Sequence, residues 1–255
     1  RPADRADARA VAPAPLRLPD LLDEVGESAP AIAIAEADVA VRRAAIAVAG
    51  TWEDPSLSVM SEAIPLGGAG EADPTMISYR IGQPLNLFGR RQLAKRVARS
   101  EVTRSEAGLR RTSWDARAQA VSQFYELWMV DEMGRIVDDQ IALLRRMREA
   151  ALALVSAGMG SMGHHDFLRA ESEIAVMEAE RASLVDERAA IAVMLNTLRG
   201  RPIDDAIGPA ELPAEAPLPV LDVAAAVATG TPEVAAARAI KEGASAQRAL
   251  ARRMY

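Results

Sequence analysis

Between Asn86 and Gly200 apolar residues return in steps of three and four, the spacing that holds one stripe of a helix against a partner. The first half of the stripe reads Leu127, Val130, Gly134, Val137, Ile141 and Leu144. The second half, Ala170, Ile174, Met177, Leu184, Ile191, Leu195 and Leu198, keeps the rhythm, with Arg181 and Arg188 interrupting it. No proline occurs from Asn86 to Val155, so one helix over that run would reach roughly 105 Å at about 1.5 Å per residue. A single glycine-rich break, Ser156 to Asp166, separates the halves. With the turn centred near Gly160, Leu144 falls opposite Met177, Val137 opposite Leu184 and Val130 opposite Ile191. The pattern predicts an antiparallel helical hairpin over 86–199, far longer than a compact domain of this length needs.

Upstream the period changes. Residues 1–17 carry no periodicity and read as a disordered tail. Asp20 to Val25 is a short helical pattern ended by Gly26, and Pro30 opens an alanine-rich helix over 29–50. Over 56–83 apolar positions alternate instead: Leu57 and Val59, then Ile77, Tyr79 and Ile81, joined by the glycine- and proline-rich run Pro65 to Pro74. Two readings fit this β-hairpin. It packs on helices as a soluble hairpin, or it supplies two membrane strands, which need about 9–11 residues each and one apolar face. Trp52 and Phe88 sit just outside the inner strand ends, where interfacial aromatics would lie.

After Gly200 a proline-rich linker spans 201–219, and 220–255 then echoes the layout of residues 18–53. Pro232 answers Pro30 at an offset of 202 residues, and at that offset Asp222 meets Asp20 and Val227 meets Val25. This reads as an internal duplication in which 18–200 is the first repeat and 220–255 the truncated start of a second. The chain is accordingly expected to be a fragment.

Composition narrows the partners. Half the residues are hydrophobic but only 4% aromatic, because alanine supplies much of the apolar count, which suits closely approached helical layers. A net charge of −6 argues against nucleic acid. With no cysteine there is neither a disulfide framework nor a thiolate metal site. No run of 18 apolar residues offers a transmembrane helix. Lysine occurs only at Lys95 and Lys241, which reads as coding bias.

Three stretches carry a resemblance. Pro30-Ala-Ile-Ala-Ile-Ala-Glu-Ala, with its echo at Pro232, is similar to the Asn-Pro start of an alanine-rich helix, although Ala29 and Thr231 replace the asparagine. Gly82-Gln-Pro-Leu-Asn-Leu-Phe-Gly-Arg-Arg91 resembles a Gln-Pro-Leu…Gly-Lys-Arg junction. Gly158-Met-Gly-Ser161, Asp166-Phe-Leu-Arg-Ala-Glu171 and Leu198-Arg-Gly-Arg-Pro202 resemble a glycine turn, with either Gly158 or Gly160 as its glycine, the helix start after it and that helix's end. In order and spacing these resemble the TolC-like outer membrane efflux proteins, the second stretch looking most like the heavy-metal CzcC-like branch. The resemblance implies a mainly α fold, a very long antiparallel helical hairpin with a two-strand β-hairpin that joins other copies in a trimeric transmembrane β-barrel. It implies a homotrimer in the outer membrane of a Gram-negative bacterium, with a periplasmic extension and its strands in lipid. The implied partners are a periplasmic adaptor protein and an inner-membrane transporter of the resistance-nodulation-division type. The implied role is a passive export duct for metal ions or drugs, without chemistry or cofactor. Gly158, Met159, Gly160, Ser161, Met162 and Gly163 would form the tip that docks the adaptor.

Other chemistry is thin. His164 and His165 lie beside Met159 and Met162, a donor set suited to soft metals, but adjacent histidines in a turn point apart and a polar turn explains them. Asp166 reads as a first-turn helix residue. Ser161, His164 and Asp166 crowd one turn without an oxyanion hole, so no catalytic residue is assigned. Charge runs such as Asp131-Glu132 and Arg145-Arg146 read as solvated faces, some lining the tunnel. A periplasmic adaptor of the same kind of pump, or a coiled-coil scaffold, is the alternative role; an adaptor flanks its hairpin with lipoyl-like β segments, and only two strands are found here.

Overall fold

A computed structural model describes residues 13–52, 54–63, 75–84, 89–157, 160–214 and 230–253. The elements in chain order are β1 (Leu16–Arg17), α1 (Leu18–Ser28), α2 (Pro30–Val48), β2 (Ser56–Ala63), β3 (Thr75–Gly82), α3 (Arg90–Ser156), α4 (Gly160–Arg199), β4 (Ala210–Glu211) and α5 (Pro232–Ala251). Helix α3 is unbroken over 67 residues, about 100 Å of contour. Neither Gly108 nor Gly134 interrupts it, because one glycine costs only about 1 kcal/mol against the many bonds around it.

The chain divides into two compact units. The first holds residues 1–34 and 111–221. Its core gathers Leu21 and Val25 of α1, Phe124 and Leu127 of α3, and Leu195 of α4, all fully buried. Leu21 and Val25 lie one turn apart, and each contributes about 1.5–3 kcal/mol by leaving water. Helix α1 runs through Gly26 to Ser28, where the glycine was expected to end it. A Cβ at Gly26 would stand 2.8 Å from an Arg117 guanidinium nitrogen, so this glycine serves packing rather than termination. Strand β1 pairs in parallel with β4, Leu16 with Ala210 and Arg17 with Glu211, tying the connector after α4 to the start of the chain.

Between α3 and α4 the expected seam is present. Val130, Val137, Ile141, Ala151, Ala170, Ile174, Leu184 and Ile191 are buried, with Leu144 and Met177 half-buried. Cross-hairpin ion pairs report the register: Arg145 with Glu178 at 2.9 Å, Asp138 with Arg181 at 2.9 Å and Asp131 with Arg188 at 2.6 Å. Each α3 member lies one residue beyond Leu144, Val137 or Val130, on the turns predicted to face Met177, Leu184 and Ile191.

The second unit holds residues 35–110 and 222–255. Helix α2 runs antiparallel to α3: Arg43 pairs with Glu106 at 2.7 Å, and Lys95 packs over Gly50. Helix α5 is antiparallel to α3 as well, with Gly243 against Ser100 and Arg253 against Gly89. Both flanking helices begin on a proline, Pro30 and Pro232.

Candidate functional site

The strand pair is antiparallel and in register from Ser56↔Gly82 to Ala63↔Thr75. Each strand has eight residues, one short of the expected minimum of about nine, and the run 64–74 between them lies outside the described residues. Leu57 pairs with Ile81 and Val59 with Tyr79, which puts all four on one face because side chains alternate along a strand. That face is open: Leu57 is 68%, Val59 60%, Tyr79 72% and Ile81 79% exposed. Ile77, the fifth residue expected there, is exposed too. Nothing among the described residues covers this face.

Below the strands, Arg91 closes the junction. Its guanidinium donates to the Gly50 carbonyl, Nε at 2.9 Å, and lies 4.7 Å over the Trp52 ring. One cation thus satisfies an orphan carbonyl at the end of α2 and holds Trp52 half-exposed at the strand entrance. Phe88, the second expected aromatic, lies outside the described residues.

At the other end of α3 the turn is tighter than the glycine count suggested. Helix α3 ends at Ser156 and α4 starts at Gly160. Gly160, Ser161, Met162 and Gly163 are therefore helical, and Gly158 and Met159 lie outside the described residues. Gly163 explains the difference. A Cβ there would sit 2.9 Å from Val155 Cγ2 and 3.0 Å from the Ala151 carbonyl oxygen, so α4 closes on α3 within its first turns only without a side chain. His164 and His165 consequently stand on a helix, exposed, with side chains about 100° apart around its axis. Asp166 falls in the second turn rather than the first. Among the described residues no cluster of metal-ligating side chains forms.

Two polar clusters were not foreseen. Arg181 and Arg188, which broke the apolar stripe, meet Asp138 and Asp131, so both pairs repeat at heptad spacing. Arg188 also donates to the Ile207 carbonyl, and Asp131 keeps one carboxylate oxygen buried without a partner. Asp131 is thus not part of a solvated face, as its run had suggested; the equal seven-residue spacing of the two Asp and two Arg was the available signal. Glu132 beside it is half-buried and pairs with Arg135, whose hydrogen bond holds the carboxyl below its ordinary range.

The second cluster explains the Leu198-Arg-Gly-Arg-Pro202 stretch. Gly200 leaves α4 at φ +67°, and its N–H bonds the Thr197 carbonyl at 3.2 Å. The chain reverses so that Arg199, buried, donates to Glu24 at 2.7 Å, while Arg201 donates to the other oxygen of Glu24. Arg201 also reaches Asp205 at 3.1 Å; the hydrogen bonds from it to Asp205 and then Glu24 raise its pKa further. Asn196, fully buried, donates to the Ile203 and Asp205 carbonyls. Glu24 of α1, the end of α4 and the connector are thereby one hydrogen-bonded clamp.

No helix among the described residues is long and apolar enough to cross a membrane. Comparison with curated protein sequences finds no match. Among solved structures the fold is similar to the outer-membrane channel OprN (TM-score 0.71, 21% identity, 90% of this chain and 54% of that one). It is similar to the CmeC outer membrane channel of Campylobacter jejuni (TM-score 0.74, 11% identity, 92% and 52%). It also resembles CusC, studied for folding and transmembrane channel formation (TM-score 0.70, 16% identity, 96% and 58%). The chain spans little more than half the length of these channels. A family model described as outer membrane efflux protein matches residues 21–201, from the first buried leucine of α1 to the arginine of the α4 clamp, and the chain belongs to that family.

Proposed function

We propose that this chain carries the first repeat and the start of the second of a channel protomer that serves a tripartite efflux pump, a passive duct for metal ions or drugs across the periplasm and outer membrane of a Gram-negative bacterium. The observation that carries the reading is the open face of Leu57, Val59, Tyr79 and Ile81 in a member of the efflux family. A two-stranded sheet with bare edges and one apolar face is unstable alone in lipid, where every backbone group needs a partner, so closure requires strands from other copies. A homotrimer satisfies that need.

Helix α3 supports assembly independently. Beside the buried seam runs a second stripe, Met129, Met133, Ile136, Leu143, Met147 and Leu154, in steps of four and three when Gln140 and Ala150 are counted. All six apolar residues are exposed, an unusual state for a stripe of that length on a chain facing only water. A neighbouring hairpin would bury it. In this reading Gly158 to Gly163 is the tip that meets a periplasmic adaptor, and the inner-membrane transporter supplies the energy. Trp52 and Phe88 mark the headgroup layer. The Gln83 to Arg91 junction, with its likeness to the CzcC-like branch, favours metal ions as cargo. An adaptor or a coiled-coil scaffold would have no use for the open strand face.

The test is expression of the full-length gene product, membrane fractionation and planar-bilayer recording. Detergent-dependent extraction from the outer membrane with stepwise conductance supports the reading, and a protein that fractionates as soluble overturns it.

A further inference from the structure

The protein is acidic, yet two runs that meet at one end of its second unit carry no acid. Residues 89–100 contain Arg90, Arg91, Lys95, Arg96 and Arg99, and residues 243–253 contain Arg248, Arg252 and Arg253, without a single Asp or Glu in either run. The antiparallel packing of α5 on α3 brings the two runs together, since Gly243 meets Ser100 and Arg253 meets Gly89. Eight cations therefore collect at one place in a chain of net charge −6. Like charges at such density repel.

Lining residues Gly89, Lys95, Arg96, Arg99 and Arg253 enclose a cleft of about 510 Å³ between the two helices. Arg91 is spent on the Gly50 carbonyl and Trp52, whereas the side chains of Lys95, Arg96 and Arg99 have no ion pair or hydrogen bond among the described residues. The next carboxylate on α3, Glu101, faces Arg104 at 3.6 Å. Further along α3, Arg111, Arg135 and Arg145 do meet acids, within a turn or across the hairpin.

We propose that this cleft seats the phosphodiester headgroups of anionic phospholipids in the periplasm-facing leaflet of the outer membrane. The inference rests on the membrane reading of the strand pair. Three features fit that ligand together. The cleft lies in the first turns of α3, where Arg91 stacks on half-exposed Trp52, which is the depth of the headgroups if the strands lie in lipid. Guanidinium forks match phosphate oxygens two at a time and Lys95 adds a point charge. The volume is within the range that holds a small ligand rather than a single ion, about 300–1,000 Å³. In a trimer the cleft would recur around the barrel as a basic collar that sets its depth in the membrane.

The test uses the full-length channel purified in a neutral detergent and exposed to mixed micelles holding equal amounts of phosphatidylglycerol and phosphatidylcholine, with retained lipid read by native mass spectrometry. Wild-type protein should retain phosphatidylglycerol preferentially. Each interfacial cation is worth about fivefold, so Arg96→Gln with Arg99→Gln should weaken that preference about 25-fold. Arg96→Lys with Arg99→Lys, which keeps the charge, should retain most of it. Arg110→Gln with Arg238→Gln, an equal charge change elsewhere on α3 and α5, should leave it intact. Equal retention of both lipids by an inserted, conducting channel overturns the lipid seat and leaves the channel reading standing. So does loss of preference in the Arg110/Arg238 control, or displacement of the lipid by millimolar inorganic phosphate, which would make the cleft a site for free anions. A protein that needs no detergent overturns both.

Discussion

Gly200 turns the chain at φ +67°, and a Cβ on it would stand 2.6 Å from the Ser28 carbonyl oxygen. Gly200→Ala should cost about 1–2 kcal/mol for the left-handed backbone alone and more for the contact. Because Arg199 and Arg201 reach Glu24 only across this turn, the loss should appear as a thermal midpoint lower by roughly 2–4 °C per kcal/mol. Arg188→Met should be costly for a different reason: it leaves the Asp131 carboxylate, which already has one unpartnered buried oxygen, without its cation. Losing a hydrogen bond to a charged group there should cost about 1.5–3 kcal/mol, while Asp131→Leu with Arg188→Met should recover part of it, since two well-packed apolar residues replace a pair that was expensive to desolvate. Thermal unfolding of the three proteins reads the coupling. At this scale the sequence was only partly legible. The glycine in Leu198-Arg-Gly-Arg-Pro202 could be seen to end a helix, but Glu24 lies 175 positions from Arg199, and no local pattern links them.

Helix α3 presents two apolar stripes, and they have different fates. The seam of Val130, Val137 and Ile141 is buried on α4, while Met133, Ile136 and Leu143 face outward. Met133→Gln with Ile136→Gln should therefore leave the helical content and thermal midpoint of the single chain within about 0.5 kcal/mol of wild type, as surface changes usually do. In the trimer proposed for the full-length protein the same pair should shift assembly toward monomer, each residue giving up about 1.5–3 kcal/mol of burial, as measured by light scattering in detergent. An unchanged trimer would remove this stripe from the interface. The long helices and the β2–β3 pair were readable from the sequence in type and register, because helix and strand periods are properties of the local backbone. The β1–β4 pair was not, since Leu16–Arg17 fell in a stretch read as a disordered tail and Ala210–Glu211 in one read as a linker. Nor were the helix ends. Gly26 and the glycines from 160 to 163 look like breakers, yet they lie inside helices where Arg117 and Val155 approach too closely for a side chain. A glycine that admits a neighbour and a glycine that ends a helix are the same letter.

For the molecule as a whole, the strand pair makes the sharpest demand. Its apolar face is open and its edges unpaired, so the isolated 255-residue chain should neither insert into bilayers nor conduct. Recording of ion channels from that purified chain would contradict it, and the full-length gene product under the same conditions supplies the positive control. Taken alone, the sequence determined the long hairpin, its facing register, the two alternating strands and the side of each strand that is apolar. These follow from periods of 3.6 and 2 and from the absence of proline, which constrain each segment without reference to any other. Only the tertiary structure decided that Arg181 and Arg188 meet two aspartates across the hairpin, that Arg91 caps α2 over Trp52, and that eight cations share one end of a unit in an acidic chain. Those outcomes depend on which residues, distant along the chain, packing brings within a few ångströms, and charge and shape act only once that distance is closed.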